Sequence, residues 1–416
     1  MNEINVQLLA SPVNGSESNL RIAVSGHKTR SLFLINQNHL GSAMADLLRL
    51  LLRVSEKAAN VARVCRREAP LFELLVQEKT GDDKNKKFVQ DFKTLADVVI
   101  QEMIKHDVGA QFPQMKGFIQ GEESNKFENG LGESVTVTVC GTEEETAALL
   151  ATVLDGDTTA AALLGRAIHQ DLEVVDEAAE GLELPLEPSD LGIWIDPIDA
   201  TSQYIEGREE VAPLGGLCPS GLPCALVLIG AYLRASGEPV IGVINQPFAR
   251  RDPLGHGWTG RHFWGVSSGT IKTSSLPRPP GRSTEEEELS VVLSSSEKQA
   301  VKDALAPLCA GRLTYVSGAG YKILCVILGL ADMYVLSEGS TFKWDSCAPH
   351  AILRALGGGV VDLAECLKGG PLAELTYHQP RPGHQGAERW ANNGGVVAYL
   401  DTKGLMRVIG ALLGKI

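Results

Sequence analysis

The sequence is short of the features that mark several classes of protein. Aromatic side chains make up only 5% of the 416 residues, and no apolar run approaches the roughly 18 residues of a membrane helix. The amino-terminal stretch has no basic segment followed by an apolar run and a small-residue cleavage site, so neither export nor a membrane anchor is expected. The eight cysteines contain no C-x-x-C pair, and several lie in apolar runs such as Leu324-Cys325-Val326. They read as reduced core residues of a cytoplasmic protein, not as a disulfide or zinc framework. An excess of positive charge is missing as well. With 38 Lys plus Arg against 51 Asp plus Glu, the net charge is -13, a field that repels nucleic acid and anionic membranes. Neither is expected as a partner, and nothing indicates an obligate protein partner. An anionic substrate would need a local cation to be held.

What is present is ordinary globular composition, 44% hydrophobic and 21% charged. At about 150 residues per domain, the length suggests two or three folding units. Residues 1–43, rich in Ser, Asn and Gly, carry no amphipathic period and read as a poorly ordered tail. From Met44 the spacing of Leu47, Leu48, Leu51, Leu52, Val54, Ala58, Val61, Ala62 and Cys65 predicts a long helix, and a second is expected over Thr94–Ile104. Leu191–Ile195, Ala225–Ile229 and Val240–Ile244 have strand length. The stretch SSLPRPPGRSTEEEE joins prolines to four glutamates and cannot build a core. It places a linker at 276–288, between an amino-terminal α+β domain (44–275) and a carboxy-terminal α/β domain (289–416). Within the latter, Leu289–Leu293 and Ala331–Leu336 read as strands, and Tyr321–Leu330 and Ser346–Leu356 as helices, the last ended by Gly357-Gly358-Gly359. This alternation favours a layered αβ architecture.

The sharpest chemical signal is Trp194-Ile195-Asp196-Pro197-Ile198-Asp199-Ala200-Thr201. A strand ending at Asp196, followed by a turn stiffened by Pro197, would set two carboxylates and the Ile198 carbonyl at fixed offsets, the oxygen ligands a hard cation such as Mg2+ takes. The alternative is a turn with a helix-capping Asp. Glu122 and Glu123 follow an apolar Phe118-Ile119; as an isolated pair they read as a solvated edge. Asp345 is expected as the N-cap of the helix from Ser346, with Pro349 in its first turn. Asp97 fits the polar face of a helix. Lys298 and Lys322 read by themselves as solvated side chains, and His350 as a packing or hydrogen-bonding histidine.

In chain order these elements run Leu-Ala-Asp, Gly-Glu-Glu, Asp-Pro-Ile-Asp-x-Thr and Trp-Asp-Ser-Cys-Ala-Pro-His. That succession resembles the lithium-sensitive, magnesium-dependent inositol phosphatase superfamily. The likeness extends from about Met44 to about Tyr399, through SEKAANVARVCR, KNKKF, DFKTLAD, GVINQPF, GAGYK and RWANNGGVVAY. It implies a penta-layered α-β-α-β-α sandwich like that of fructose 1,6-bisphosphatase. It also implies removal of the 1-phosphate from inositol 1,4-bisphosphate and inositol 1,3,4-trisphosphate, with inhibition by Li+.

Two or three Mg2+ ions belong to that resemblance. Glu122, Asp196 and the Ile198 carbonyl would hold the first, and Asp196, Asp199 and Asp345 the second. Asp97, Glu123 and Thr201 would complete the site, Thr201 supported by Asp97 in handling the attacking water. Substrate contacts would fall on Ala200, Thr201, Ser296, Lys298, Gly318, Ala319, Lys322 and Ser340. Ala200 stands where the superfamily usually has Ser, and Ser340 where Thr is typical. Two readings remain beside this one. The 3'(2'),5'-bisphosphate nucleotidase branch shares the metal motif, and a catalytically weak inositol-phosphate binder would keep much of the same sequence.

Overall fold

The strands of this chain sort their residues by parity, and that parity builds the layers. In the computed structural model, β6 (Leu191–Asp199) sends Ile193 and Ile195 to one apolar core and Trp194 to another. β13 (Met333–Leu336) likewise sends Met333 and Val335 to one side and Tyr334 and Leu336 to the other. Both follow from the two-residue period of a strand. The structure describes residues 27–67, 76–85, 91–128, 132–182, 184, 186–252, 257–279 and 288–416, with side chains from Asp46 onward. The stretch 1–26, most of the expected linker (280–287) and the second half of KNKKF lie outside the described residues.

β6 belongs to a six-stranded sheet with β3 (Ile119–Gly121), β7 (Leu226–Leu233), β8 (Pro239–Arg251), β9 (Trp258–Ser268) and β10 (Ile271–Ser274). Its order is β10-β9-β8-β7-β6-β3, with only β3 and β6 parallel. β13 lies in a five-stranded sheet, ordered β12-β11-β13-β15-β14. The other members are β11 (Val291–Leu293), β12 (Leu313–Tyr315), β14 (Gly359–Asp362) and β15 (Val396–Tyr399). Two ribbons complete the strands: β1 (Val76–Glu78) with β2 (Phe92–Thr94), and β4 (Lys126–Glu128) with β5 (Ser134–Thr136).

Helices fill the layers around and between the sheets. α1 (His27–Arg67), α2 (Leu95–Gln111), α3 (Glu143–Val153) and α4 (Thr158–His169) share a core with the outer face of the first sheet. α5 (Thr201–Glu206) follows β6 directly. α7 (Ala319–Ile327) and α8 (Lys343–Ala355) share the core between the two sheets. α6 (Gln299–Cys309) and α10 (Thr402–Leu412) cover the far face of the second sheet, and α9 (Leu363–Cys366) is a single turn beyond β14. The result is the α-β-α-β-α order that the resemblance implied, within one compact unit, Leu40–Ile416. No helix among the described residues is long and apolar enough to cross a membrane.

α8 seats closely on the first sheet because its floor lacks Cβ atoms. Gly230 pairs with Gly242, and Gly242 with Gly265, across β7, β8 and β9. A Cβ at Gly230 would lie 2.5 Å from the Ala348 nitrogen, and one at Gly242 2.0 Å from the Ala348 carbonyl oxygen. At Gly265 it would lie 2.8 Å from the Ile352 Cα.

Of the boundaries that differ from the sequence reading, three bear on the layers or the site. α1 begins at His27, inside the stretch read as a tail; the interval from there to Leu40 holds neither Gly nor Pro, so nothing local ends the helix. β6 does not stop at Asp196 but continues to Asp199 through a bulge, as expected where a proline without an N–H interrupts a ladder. α8 begins at Lys343, so Pro349 falls in its second turn, not its first.

Candidate active site

The bulge in β6 arms the site. Asp196 faces Leu228 and Asp199 faces Leu226 across the ladder, with the register shift between them. Ala200 then turns the chain at φ 64° and ψ 45°, a left-handed conformation, and α5 begins at Thr201. The Thr201 hydroxyl donates to the Ile198 carbonyl at 3.0 Å. Alongside, the Glu122 N–H donates to the Ile195 carbonyl at 3.1 Å, which extends the β3–β6 pairing and sets Glu122 beside Asp196.

α2 packs behind the site. Thr94 caps it, donating its N–H to Asp97 Oδ2 at 2.7 Å and its hydroxyl to the same oxygen at 2.6 Å. Asp97 Oδ2 is thereby engaged with the helix start, while its Oδ1 has no hydrogen-bond partner. One turn on, Gln101 accepts from the Glu123 N–H at 2.9 Å and donates to the Glu123 carbonyl at 2.5 Å. That pairing fixes the Gly121-Glu122-Glu123 corner from the helix side.

Asp345 arrives on α8. It is not the N-cap; Phe342 is, and Asp345 Oδ2 accepts the Phe342 N–H at 2.5 Å from the third helical position. Asn392 steadies this start, donating to the Phe342 carbonyl at 2.8 Å and to Ser346 Oγ at 3.1 Å. His350, further along α8, is fully buried with Nδ1 3.0 Å from the Tyr377 hydroxyl, a packing role as expected.

Asp196, Asp199 and Asp345 each offer a carboxylate oxygen within 4.8 Å of the others. Burial pushes all three up: Asp196 and Asp345 well above the ordinary carboxylate range, with the neighbouring carboxylates adding to it, and Asp199 to about 6. Asp97 rises to about 7 and Glu123 to about 8, again chiefly through burial. Asp97 Oδ1 and Asp196 Oδ1 are buried with no hydrogen-bond partner. Buried, unpartnered oxygens of one sign are the environment a hard divalent cation relieves, so the donor set fits such an ion.

These groups open on a cavity of about 410 Å3. Of the expected residues, Glu122, Asp196, Ile198, Asp199, Ala200, Thr201 and Asp345 line it, as do Ser296, Gly318, Ala319, Lys322 and Ser340. Asp97 and Glu123 are buried outside the lining. Lys298 is also outside it, half exposed and 4.0 Å from Glu338. Gly318, at φ 79°, lets the start of α7 approach so closely that a Cβ there would lie 3.0 Å from Asp199 Oδ2. The Tyr321 N–H donates to that oxygen at 3.2 Å. The Lys322 ammonium donates to the Val316 carbonyl at 3.1 Å, and burial pulls it down to about 8 against the opposing pull of Asp199.

Sequence reasoning did not single out Lys79, Gln101, Asp83, Asn85, Asp91 or Ser294. Lys79 sits among the acids, 2.6 Å from an oxygen of Glu122 and 2.6 Å from one of Glu123. Asn85 donates to the Ser340 carbonyl at 3.3 Å; its only signal was its place within KNKKF.

The sequence model of the inositol monophosphatase family matches residues 48–404. The inositol polyphosphate 1-phosphatase of Bos taurus is 49% identical over 390 residues, covering 89% of this chain and 98% of that protein. The one from Homo sapiens is 47% identical over 389 residues, with the same coverage of 89% and 98%. The 3'(2'),5'-bisphosphate nucleotidase 1 of Dictyostelium discoideum is 33% identical over 205 residues, 47% of this chain and 59% of that protein. The chain belongs to the inositol monophosphatase family, on the branch of the inositol polyphosphate 1-phosphatases.

Proposed function

We propose that the chain is a cytoplasmic, Mg2+-dependent, Li+-inhibited phosphomonoesterase that removes the 1-phosphate from inositol 1,4-bisphosphate and inositol 1,3,4-trisphosphate. The observation that carries this reading is the convergence of Asp196 and Asp199, from β6, with Asp345, from α8, around oxygens that lack partners. The two curated relatives that match nearly end to end support the substrate class.

In this reading Glu122, Asp196 and the Ile198 carbonyl would hold one ion, and Asp196, Asp199 and Asp345 a second. Asp97 and Glu123 add charge from behind, and Thr201 completes the set. An ion held there would supply positive charge for the phosphoryl oxygens, the attacking water and the leaving alkoxide. Thr201 spends its proton on the Ile198 carbonyl, which leaves its lone pairs to accept from that water and aim it. Lys322, with Ser296, Gly318, Ala319, Ala200 and Ser340, holds the ester. Lys298 reaches the second phosphate by leaving its half-exposed pairing with Glu338, a surface contact worth about 1 kcal/mol or less.

Phosphate release from inositol 1,4-bisphosphate, measured beside adenosine 3',5'-bisphosphate, tests the reading. Mg2+-dependent turnover of the inositol ester is expected, reduced by Li+ and lost in Asp196→Asn. A clear preference for the nucleotide would move the chain to nucleotidase chemistry. Binding without turnover would make it an inositol-phosphate binder.

A further inference from the structure

Glu297 lies between Ser296 and Lys298, two of the proposed substrate contacts, yet it turns away from the cavity and is 4% exposed. All of its polar contacts are to the chain. Its carboxylate accepts the Ser337 N–H at 2.9 Å, the Ser337 hydroxyl at 2.5 Å and the Lys298 N–H at 2.8 Å. Its own N–H donates to the Ser294 carbonyl at 3.1 Å, closing a tight turn over residues 294–297.

The location of these partners gives the contacts their meaning. Ser294, Ser295 and Ser296 follow β11, and Ser337 follows β13. The two strands are parallel neighbours whose pairing ends at Val292 with Tyr334. Past that point the Glu297 carboxylate bridges the two strand ends in place of the ladder. The segments it joins both line the cavity, Ser294, Ser295 and Ser296 as one rim and Ser340 and Thr341 as the neighbouring one. The rims carry mostly small hydroxyl side chains, which recognise an ester only when their spacing is held.

We propose that Glu297 is a positioning residue for substrate: it locks the two hydroxyl-bearing rims into one unit and so sets the affinity for the phosphorylated ring, without touching the ring or the metal ligands. This rests on the phosphatase reading above. Charge-assisted hydrogen bonds to a buried carboxylate are among the stronger ones, and a backbone N–H left without its acceptor there is costly. An amide in place of the carboxylate turns an NH2 toward donors, so Glu297→Gln breaks the clamp while keeping the side-chain volume.

The test compares wild type, Glu297→Gln, Ser337→Ala and the double variant. For Glu297→Gln, KM for inositol 1,4-bisphosphate should rise about tenfold. Its kcat and its calorimetric Mg2+ affinity should stay within about twofold of wild type. Ser337→Ala should raise KM by a smaller factor and add nothing on top of Glu297→Gln, because both remove one coupling. In hydrogen–deuterium exchange, segments 294–298 and 337–341 should loosen together in Glu297→Gln. An unchanged KM, loosening of one segment alone, or a parallel fall of kcat, Mg2+ affinity and melting temperature would each overturn the proposal. Should the wild type release no phosphate from the bisphosphate, the phosphatase reading fails. The exchange measurement then decides the clamp alone: joint loosening sustains it and independent behaviour removes it.

Discussion

Lys79 places its ammonium 2.6 Å from a carboxylate oxygen of Glu123, with 2% and 1% of the two side chains exposed. Glu122 reaches the same ammonium at 2.6 Å. Burial would drive this lysine down, but the two glutamates hold it well above its ordinary value. Lys79 thus neutralises part of the carboxylate cluster from within the chain.

Lys79→Met should therefore destabilise the protein stripped of divalent metal by about 3 kcal/mol, the cost of leaving a buried charge without its partner. Mg2+ should stabilise the variant more than it does the wild type, because ammonium and dication compete for the same oxygens. Denaturant titrations in EDTA and in Mg2+ check both; a variant as stable as wild type in EDTA would contradict the argument.

The carboxylates predict an unusual pH profile. Asp199, Asp97 and Glu123 rise to about 6, about 7 and about 8, from 3.8, 3.8 and 4.5. A carboxyl whose value is higher in the folded state binds its proton more tightly there. Its contribution is complete below the unfolded value and is lost as pH rises through the folded one. The metal-free protein should therefore lose stability from about pH 4 to about pH 8. Lys322, pulled down to about 8, acts in the opposite sense only above that window. Mg2+ should flatten the slope by holding the carboxylates ionised. Thermal melts with and without EDTA would show it, and metal-free stability that climbs with pH would refute it.

Gly242 tests the link from packing to the metal site. In Gly242→Ala the new methyl would sit 2.0 Å from the Ala348 carbonyl oxygen, so α8 has to lift, and Asp345 with it. A loss of about 1–3 kcal/mol is expected from the overpacking, together with weaker Mg2+ binding. Gly410→Ala, on the exposed side of α10 with nothing within 4 Å, is the control. It should be neutral or stabilise the protein by up to about 1 kcal/mol. Calorimetric Mg2+ titration of both variants separates them; unaltered affinity in Gly242→Ala would show that α8 tolerates the shift.

Much of this arrangement was legible because certain residues report on their own surroundings. Trp194, between Ile193 and Ile195, belongs to a strand buried on both faces, and Pro197 forces an irregularity between two aspartates. The layers themselves came from the likeness to a known family, since no periodicity tells which sheet covers which helix. Lys79 and Gln101 were not legible. Lys79 stands in QEKTGDD, a polar stretch without period, and only the β1–β2 ribbon brings it to Glu122 and Glu123. Gln101 occupies an ordinary helical position until β3 is laid against α2. Asp345 was located but misplaced in its helix, because a cap formed by Phe342 has no side-chain signature.

The cavity walls hold Asp83, Asp91, Glu122, Asp196, Asp199 and Asp345 against one lysine, Lys322, among the described lining residues. Each of these carboxylates that ionises repels an anionic ester, and bound dications would offset that repulsion. Catalysis would then have a fixed queue, cation before ester, and throughput would track the free magnesium around the enzyme as closely as it tracks the supply of ester.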